Sequence, residues 1–290
     1  MQVLALVGTN SIRAAVLATL AAGSAALAAS PKTAKNGPRT FDEALADVEA
    51  YVLSGYGERK IQGERNDLEP VEAALGTAAY DWARGVALVI LVDASGSGAT
   101  APYCSGARVG EGLFMTNAHC DHGCDFMRFT MGAERDATAA NRQTFRCKSL
   151  VRKNAALDYA LYTAAPEEPS SMPFPPLALA AGPRFDGMSL IVPGHPYRGT
   201  KMLDRSSECY VVSAETFLSP SGRQTFSHLC DTEGGSSGSP LLDAQTGRIV
   251  GLHWGGEDRE ANFAIPMDLI IEDLDANLSD DVLADLNVSR

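Results

Sequence analysis

Three short segments carry side chains that together could activate a hydroxyl, and they lie in the order histidine, aspartate, serine. The first is Thr116-Asn117-Ala118-His119-Cys120, where a β-like apolar run ends and presents a histidine between small residues. Imidazole suits proton transfer near neutral pH, because its unperturbed pKa is about 6.5. The second is Leu157-Asp158-Tyr159-Ala160-Leu161, in which one acid opens an otherwise apolar run. A carboxylate buried there needs a partner, and a histidine N–H is a suitable one. The third is Gly234-Gly235-Ser236-Ser237-Gly238-Ser239-Pro240. Glycines around a serine permit a tight turn whose backbone N–H groups converge beside the hydroxyl and can stabilise a developing oxyanion. Taken singly, Asp158 also reads as a strand-end turn residue and the Gly/Ser stretch as a bare turn. Side by side, the three describe a base, a group that orients it, and a nucleophile.

Such segments need elements to hold them. After residue 80 the chain breaks into short β-like runs separated by Gly, Pro, Ser and Asn: Val86 to Val92, Leu113 to Thr116, Phe126 to Met131, Leu157 to Thr163, Ser189 to Val192, Cys209 to Val212 and Arg248 to Trp254. Many short strands with turn signals between them predict an all-β sandwich or barrel. The stretch 164–176 contains five prolines and no strand pattern, so it is expected to link two β halves, 61–168 and 169–290. Met267 to Leu278 has helical spacing and predicts a C-terminal helix. Phe41, Leu45, Val48 and Val52 recur at helical spacing ahead of Arg59-Lys60, which marks 30–60 as a helical pro-segment.

Composition narrows the function classes. The 290 residues carry a net charge of −12, with 45% hydrophobic and 21% charged residues. That is too apolar for a disordered chain and too acidic for a sequence-independent grip on nucleic acid. Arg13 precedes the uncharged stretch Ala14 to Ala29, which ends in Ala26-Leu27-Ala28-Ala29 and reads as a signal peptide over residues 1–29. The stretch is short and weakly apolar for a membrane anchor, so no stable membrane association is expected after its removal. A secreted or periplasmic protein follows, in a compartment where six cysteines can pair. His119, Cys120, His122 and Cys124 lie close enough to suggest zinc, but structural zinc sites draw their ligand pairs from separated segments, and neither a metal nor another cofactor is expected.

The three motifs resemble the signatures of trypsin/chymotrypsin-fold serine endopeptidases. Gly-Ser-Ser-Gly-Ser-Pro at 235–240, followed by Gly251-Leu252-His253-Trp254-Gly255-Gly256, is similar to the bacterial glutamyl-endopeptidase branch. The resemblance spans about residues 61–275. It implies two six-stranded antiparallel Greek-key β-barrels with a cleft between them, His119 and Asp158 coming from the first and Ser237 from the second. It also implies that Ser237 is the nucleophile and His119 the general base, that Asp158 holds the imidazole, and that the backbone N–H groups of Gly235 and Ser237 form the oxyanion hole. The implied disulfides are Cys104–Cys120, Cys124–Cys147 and Cys209–Cys230. The expected partners are protein or peptide substrates, met by a monomer.

Specificity stays open at this level. Thr232 and His253 match positions where glutamyl endopeptidases recognise an acidic side chain, and both can donate to a carboxylate. Asp231, six residues before Ser237, stands where trypsin places the acid that selects Arg and Lys. Trp254 is expected to wall the substrate cleft. His195, in Pro193-Gly194-His195-Pro196, reads as a turn residue between strands of the second barrel, and His122 and His228 read as structural or exposed. Ile61-Gln62-Gly63 resembles the processed N-terminus of the family, but Ser236 stands where trypsin-type zymogens carry the aspartate that pairs with the new amine. The rival readings are a catalytically silent binding module on the same fold, an esterase using the same three residues, and a protease with basic specificity.

Overall fold

The structure is a computed structural model, and it describes residues 40–46, 61–62, 65–93, 100–138, 141–168, 174–219, 221–257 and 261–289. The expected signal peptide lies outside these residues. So does most of the expected pro-segment, of which 41–46 are helical.

Before the first barrel the chain forms a short strand β1 (Glu69–Pro70), a 3-10 turn (Val71–Ala74) and helix α1 (Ala78–Ala83). The first barrel follows from β2 (Val86–Val92), β3 (Thr100–Gly110), β4 (Leu113–Thr116), β5 (Met127–Met131), β6 (Gln143–Asn154) and β7 (Tyr159–Pro166). It closes in the order β2-β3-β4-β7-β6-β5. All neighbouring pairs are antiparallel. Val89, Leu91, Phe114, Met127, Phe129, Phe145 and Tyr162 fill it, and Phe114 stacks on Phe129 at 4.7 Å between ring centres. β6 gave no signal in the sequence because only Phe145 and Cys147 of its residues are buried and its second half shows no alternation of buried and exposed positions.

The second half holds β8 (Leu179–Ala180), β9 (Leu190–Gly194), β10 (Met202–Asp204), β11 (Val211–Leu218), β12 (Gln224–His228), β13 (Pro240–Asp243), β14 (Ile249–Glu257), β15 (Ala261–Pro266) and β16 (Val288–Ser289). Its main path runs β1-β10-β9-β13-β14-β15-β12-β11. β11, at one end of that path, returns to β9: a bridge joins Ser189 to Tyr210, and the Leu190 and Val211 N–H groups donate to Cys209 O and Met188 O at 2.9 and 3.0 Å. β10 and β11 thus act as one interrupted strand, and six strands surround Leu190, Val192, Val211, Phe226, Leu241 and Val250. Helix α2 (Met267–Asn277) follows Pro266 and buries Met267, Ile270, Ile271 and Leu274. A shorter helix α3 (Asp280–Asp285) leads to β16.

A shared apolar cluster joins the two halves, with Met115, Tyr159 and Leu161 from the first barrel meeting Leu242, Leu252, Ile265 and Ile270. Disulfides connect Cys104 to Cys120, Cys124 to Cys147 and Cys209 to Cys230.

Candidate active site

His119 sits in the 3-10 turn Ala118–Cys120 that follows β4. The turn is held to β3 by the Cys104–Cys120 disulfide and by the Tyr103 hydroxyl, which donates to Cys120 O at 2.9 Å. Asp158 does not open the strand as its sequence context suggests. It occupies the turn just before β7 with φ of 45°, a left-handed conformation that aspartate tolerates better than most residues. The Asn117 side chain donates to Asp158 O at 2.9 Å and steadies that turn.

This geometry brings the two side chains together. His119 Nδ1 lies 2.8 Å from Asp158 Oδ2, and the His119 backbone N–H donates to Asp158 Oδ1 at 3.0 Å. Asp158 is 1% exposed. Burial pushes its carboxyl up, but the His119 charge and hydrogen bond, followed by the Arg223 charge, outweigh burial and hold it below its ordinary value. Arg223 Nε is 3.0 Å from Asp158 Oδ2. Its N–H is not aligned for a hydrogen bond, so this contact is an ion pair.

The Ser237 turn, between β12 and β13, docks on the strands that lead to His119. The Ser105 N–H donates to Ser237 O at 2.8 Å and its hydroxyl donates to Gly235 O at 2.9 Å. Gly238 has φ of +83°, and a Cβ there would lie 2.2 Å from Ser105 O and 2.3 Å from Thr116 Oγ1. Gly235 has φ of +104°, and a Cβ would lie 2.5 Å from His195 O. Glycine is required at both places, so the Gly-rich motif is a docking surface as well as a turn.

Around the turn, the expected recognition residues take different positions. Asp231 is turned toward the N-terminal strap: its Oδ1 and Oδ2 accept the Gln62 and Asp67 N–H groups, each at 2.6 Å. Asp231 is 2% exposed, and its carboxylate anchors the backbone at Gln62 and Asp67. Thr232 is buried, and its hydroxyl has no hydrogen-bond partner among the described residues. His253 is buried, with Nδ1 3.3 Å from His228 Nε2. Burial, then the nearby His119 charge, pushes His253 down to about 3, and burial with His253 beside it pushes His228 well down, so both rings are neutral at working pH. Trp254 is buried, and its ring lies under the Arg223 guanidinium, 4.7 Å away.

His195 and His122 are also buried. His195 Nδ1 is 3.0 Å from Gly199 O, and His122 packs edge-on against Tyr103. Sequence reading missed the contact of His228 with His253, and it missed Arg223 altogether. An arginine in a Ser-Gly-Arg turn gives no signal, because its partner is distant in the chain. Cys104 and Cys120 lie within ligand distance of His119, but a disulfide offers no thiolate to a metal.

The trypsin-like peptidase domain family matches residues 104–252, just over half of the chain. The protein belongs to that family. It is a peptidase acting on protein substrates. A comparison of its sequence with curated proteins finds no match. Among solved structures, this trypsin-like chain resembles a Glu endopeptidase in complex with MPD, at 13% identity and a TM-score of 0.53, covering 74% of this chain and 97% of that one. It also resembles an inactive form of Rv3671c from M. tuberculosis, at 20% identity and a TM-score of 0.52, covering 72% and 95%. The protease domain of MamO from Magnetospirillum magneticum is similar at 18% identity and a TM-score of 0.51, covering 69% and 99%. These likenesses share the fold with this trypsin-like peptidase.

Proposed function

We propose that the protein is an exported serine endopeptidase in which Ser237 attacks the peptide carbonyl, His119 takes and returns the proton, and Asp158 holds the imidazole. The observation that carries this reading is the 2.8 Å contact between His119 Nδ1 and a buried Asp158 carboxylate. It leaves the other ring nitrogen for the nucleophile. An acyl-enzyme forms on Ser237 with loss of the amine, and water resolves it. The backbone N–H groups of Gly235 and Ser237 are assigned to the oxyanion. A fluorophosphonate probe tests the assignment: it should label Ser237 in the wild-type enzyme and leave Ser237→Ala unlabelled. That variant should lose roughly four to six orders of magnitude in turnover. Near-normal peptide turnover by Ser237→Ala would refute it.

Cleavage after Glu is the specificity best supported. Thr232 supplies a buried hydroxyl without a hydrogen-bond partner among the described residues, and His253 can donate from one ring nitrogen while its Nδ1 accepts from His228. Asp231, the acid that would favour Arg or Lys, is engaged with the Gln62 and Asp67 backbone. Digesting a peptide library and tabulating the residue before each cut decides the matter: a Glu majority supports the reading, and an Arg/Lys majority overturns it.

Export is supported by the three disulfides, which persist in oxidising compartments. Among the described residues no helix is long and apolar enough to cross a membrane. Residues 30–60 are assigned as a pro-segment whose removal raises activity. If fully active enzyme begins near residue 30 on N-terminal sequencing, that assignment fails.

A further inference from the structure

Asp158 Oδ2 is shared between two nitrogen partners. His119 Nδ1 lies 2.8 Å away from within the first barrel, and Arg223 Nε lies 3.0 Å away on the turn between β11 and β12 of the second. Arg223 is held in place on several sides. Its guanidinium lies over the Trp254 ring at 4.7 Å. Trp254 is itself fixed, stacked on Phe263 and donating from Nε1 to Thr225 Oγ1 at 3.1 Å. Arg223 Nη1 donates to Ser221 Oγ at 2.9 Å, and its backbone N–H donates to Ser219 Oγ at 3.1 Å. A long flexible side chain gains three restraints, at its backbone, its guanidinium face and a donor group, and all of them aim it at the buried acid.

We propose that Arg223 is a positioning residue for the reaction, a cation supplied by the second barrel that holds the Asp158 carboxylate and lowers the pH at which His119 becomes available as a base. The role rests on the triad reading above. A guanidinium is a permanent cation in proteins. Placed against the same oxygen that the imidazole uses, it takes up part of the field of Asp158 and adds positive charge near the ring. Both effects disfavour the imidazolium and leave the neutral base populated at lower pH. The charged and titratable groups around this point are Asp158 from the turn before β7, His119 from the turn after β4, Arg223 from the β11–β12 turn and His253 from β14. Burial keeps His253 neutral, so it does not supply the same effect.

The test is the pH dependence of kcat/KM for wild type, Arg223→Gln and Arg223→Lys, with fluorophosphonate labelling of Ser237 followed over the same range. The midpoint of the acid limb is expected to move up by roughly half a unit to one unit in Arg223→Gln. It should stay near the wild-type position in Arg223→Lys, which keeps the charge. A midpoint is unaffected by a folded fraction that stays constant over the range, so the far-UV spectrum of each variant is followed across the same pH values. An Arg223→Gln limb that superimposes on wild type, or moves to lower pH, overturns the role while leaving the triad standing. Failure of the probe to label wild-type Ser237 overturns the triad and this role with it.

Discussion

Asp231 shows how one carboxylate can change its task when its surroundings change. Burial pushes it up to about 6; the two backbone N–H bonds lower it, and the charges of Asp204 and Asp67 raise it again. An acid raised above its ordinary value of 3.8 contributes stability fully below that value and loses the contribution as pH rises toward 6. The stability margin of wild type over Asp231→Asn should therefore shrink between about pH 4 and pH 6, as read by urea unfolding at a series of pH values. A margin that is flat or widens across that window would contradict the placement. Thr232 and His253 belong to the same scale. Thr232→Val removes a hydroxyl with no hydrogen-bond partner among the described residues, so stability should hardly change while kcat/KM for Glu substrates falls about 10-fold or more.

Elements act here through their junctions. The Ser237 turn is useful only where it rests on β3 and β4, and Gly238 is the point of closest approach. Gly238→Ala forces a Cβ against Ser105 O and Thr116 Oγ1 while its φ of +83° is itself strained. The turn must lift away from the strands that lead to His119. Labelling of Ser237 is expected to drop by 10²-fold or more, with the far-UV spectrum unchanged. Retained labelling would mean that the turn tolerates displacement. Asp158 gives a second example: its left-handed backbone, steadied by Asn117, is what swings the carboxylate back under the histidine turn.

At the scale of the molecule, the two sheets share the site and the N- and C-terminal segments tie them together. β1 pairs with β10 while the chain after it enters the first barrel, and Asp273 of α2 receives Arg152 of β6 at 2.9 and 2.8 Å. Tyr159, next to Asp158 in sequence, donates to the same Asp273. Three disulfides with sequence separations of 16, 23 and 21 restrict the unfolded chain, and each contributes roughly 3 kcal/mol by loop entropy. Reduction should lower the melting temperature strongly and abolish activity with it, because Cys104–Cys120 also fixes the His119 turn. An enzyme that keeps its activity and melting temperature in excess dithiothreitol would show that the bridges contribute little.

The sequence alone determined which residue types stood ready for chemistry and the class of fold that holds them. Both are written locally: motif spacing names the histidine, aspartate and serine, and short apolar runs between turn residues announce β2, β4 and β14. What only the tertiary structure decided is which partners share each oxygen. That Asp231 holds the backbone of Gln62 and Asp67, that His228 lies behind His253, and that Arg223 reaches Asp158 from the other sheet are all contacts across long stretches of chain. Hydrophobic periodicity reports the side of an element that is buried, and it carries no information about which buried polar group meets which.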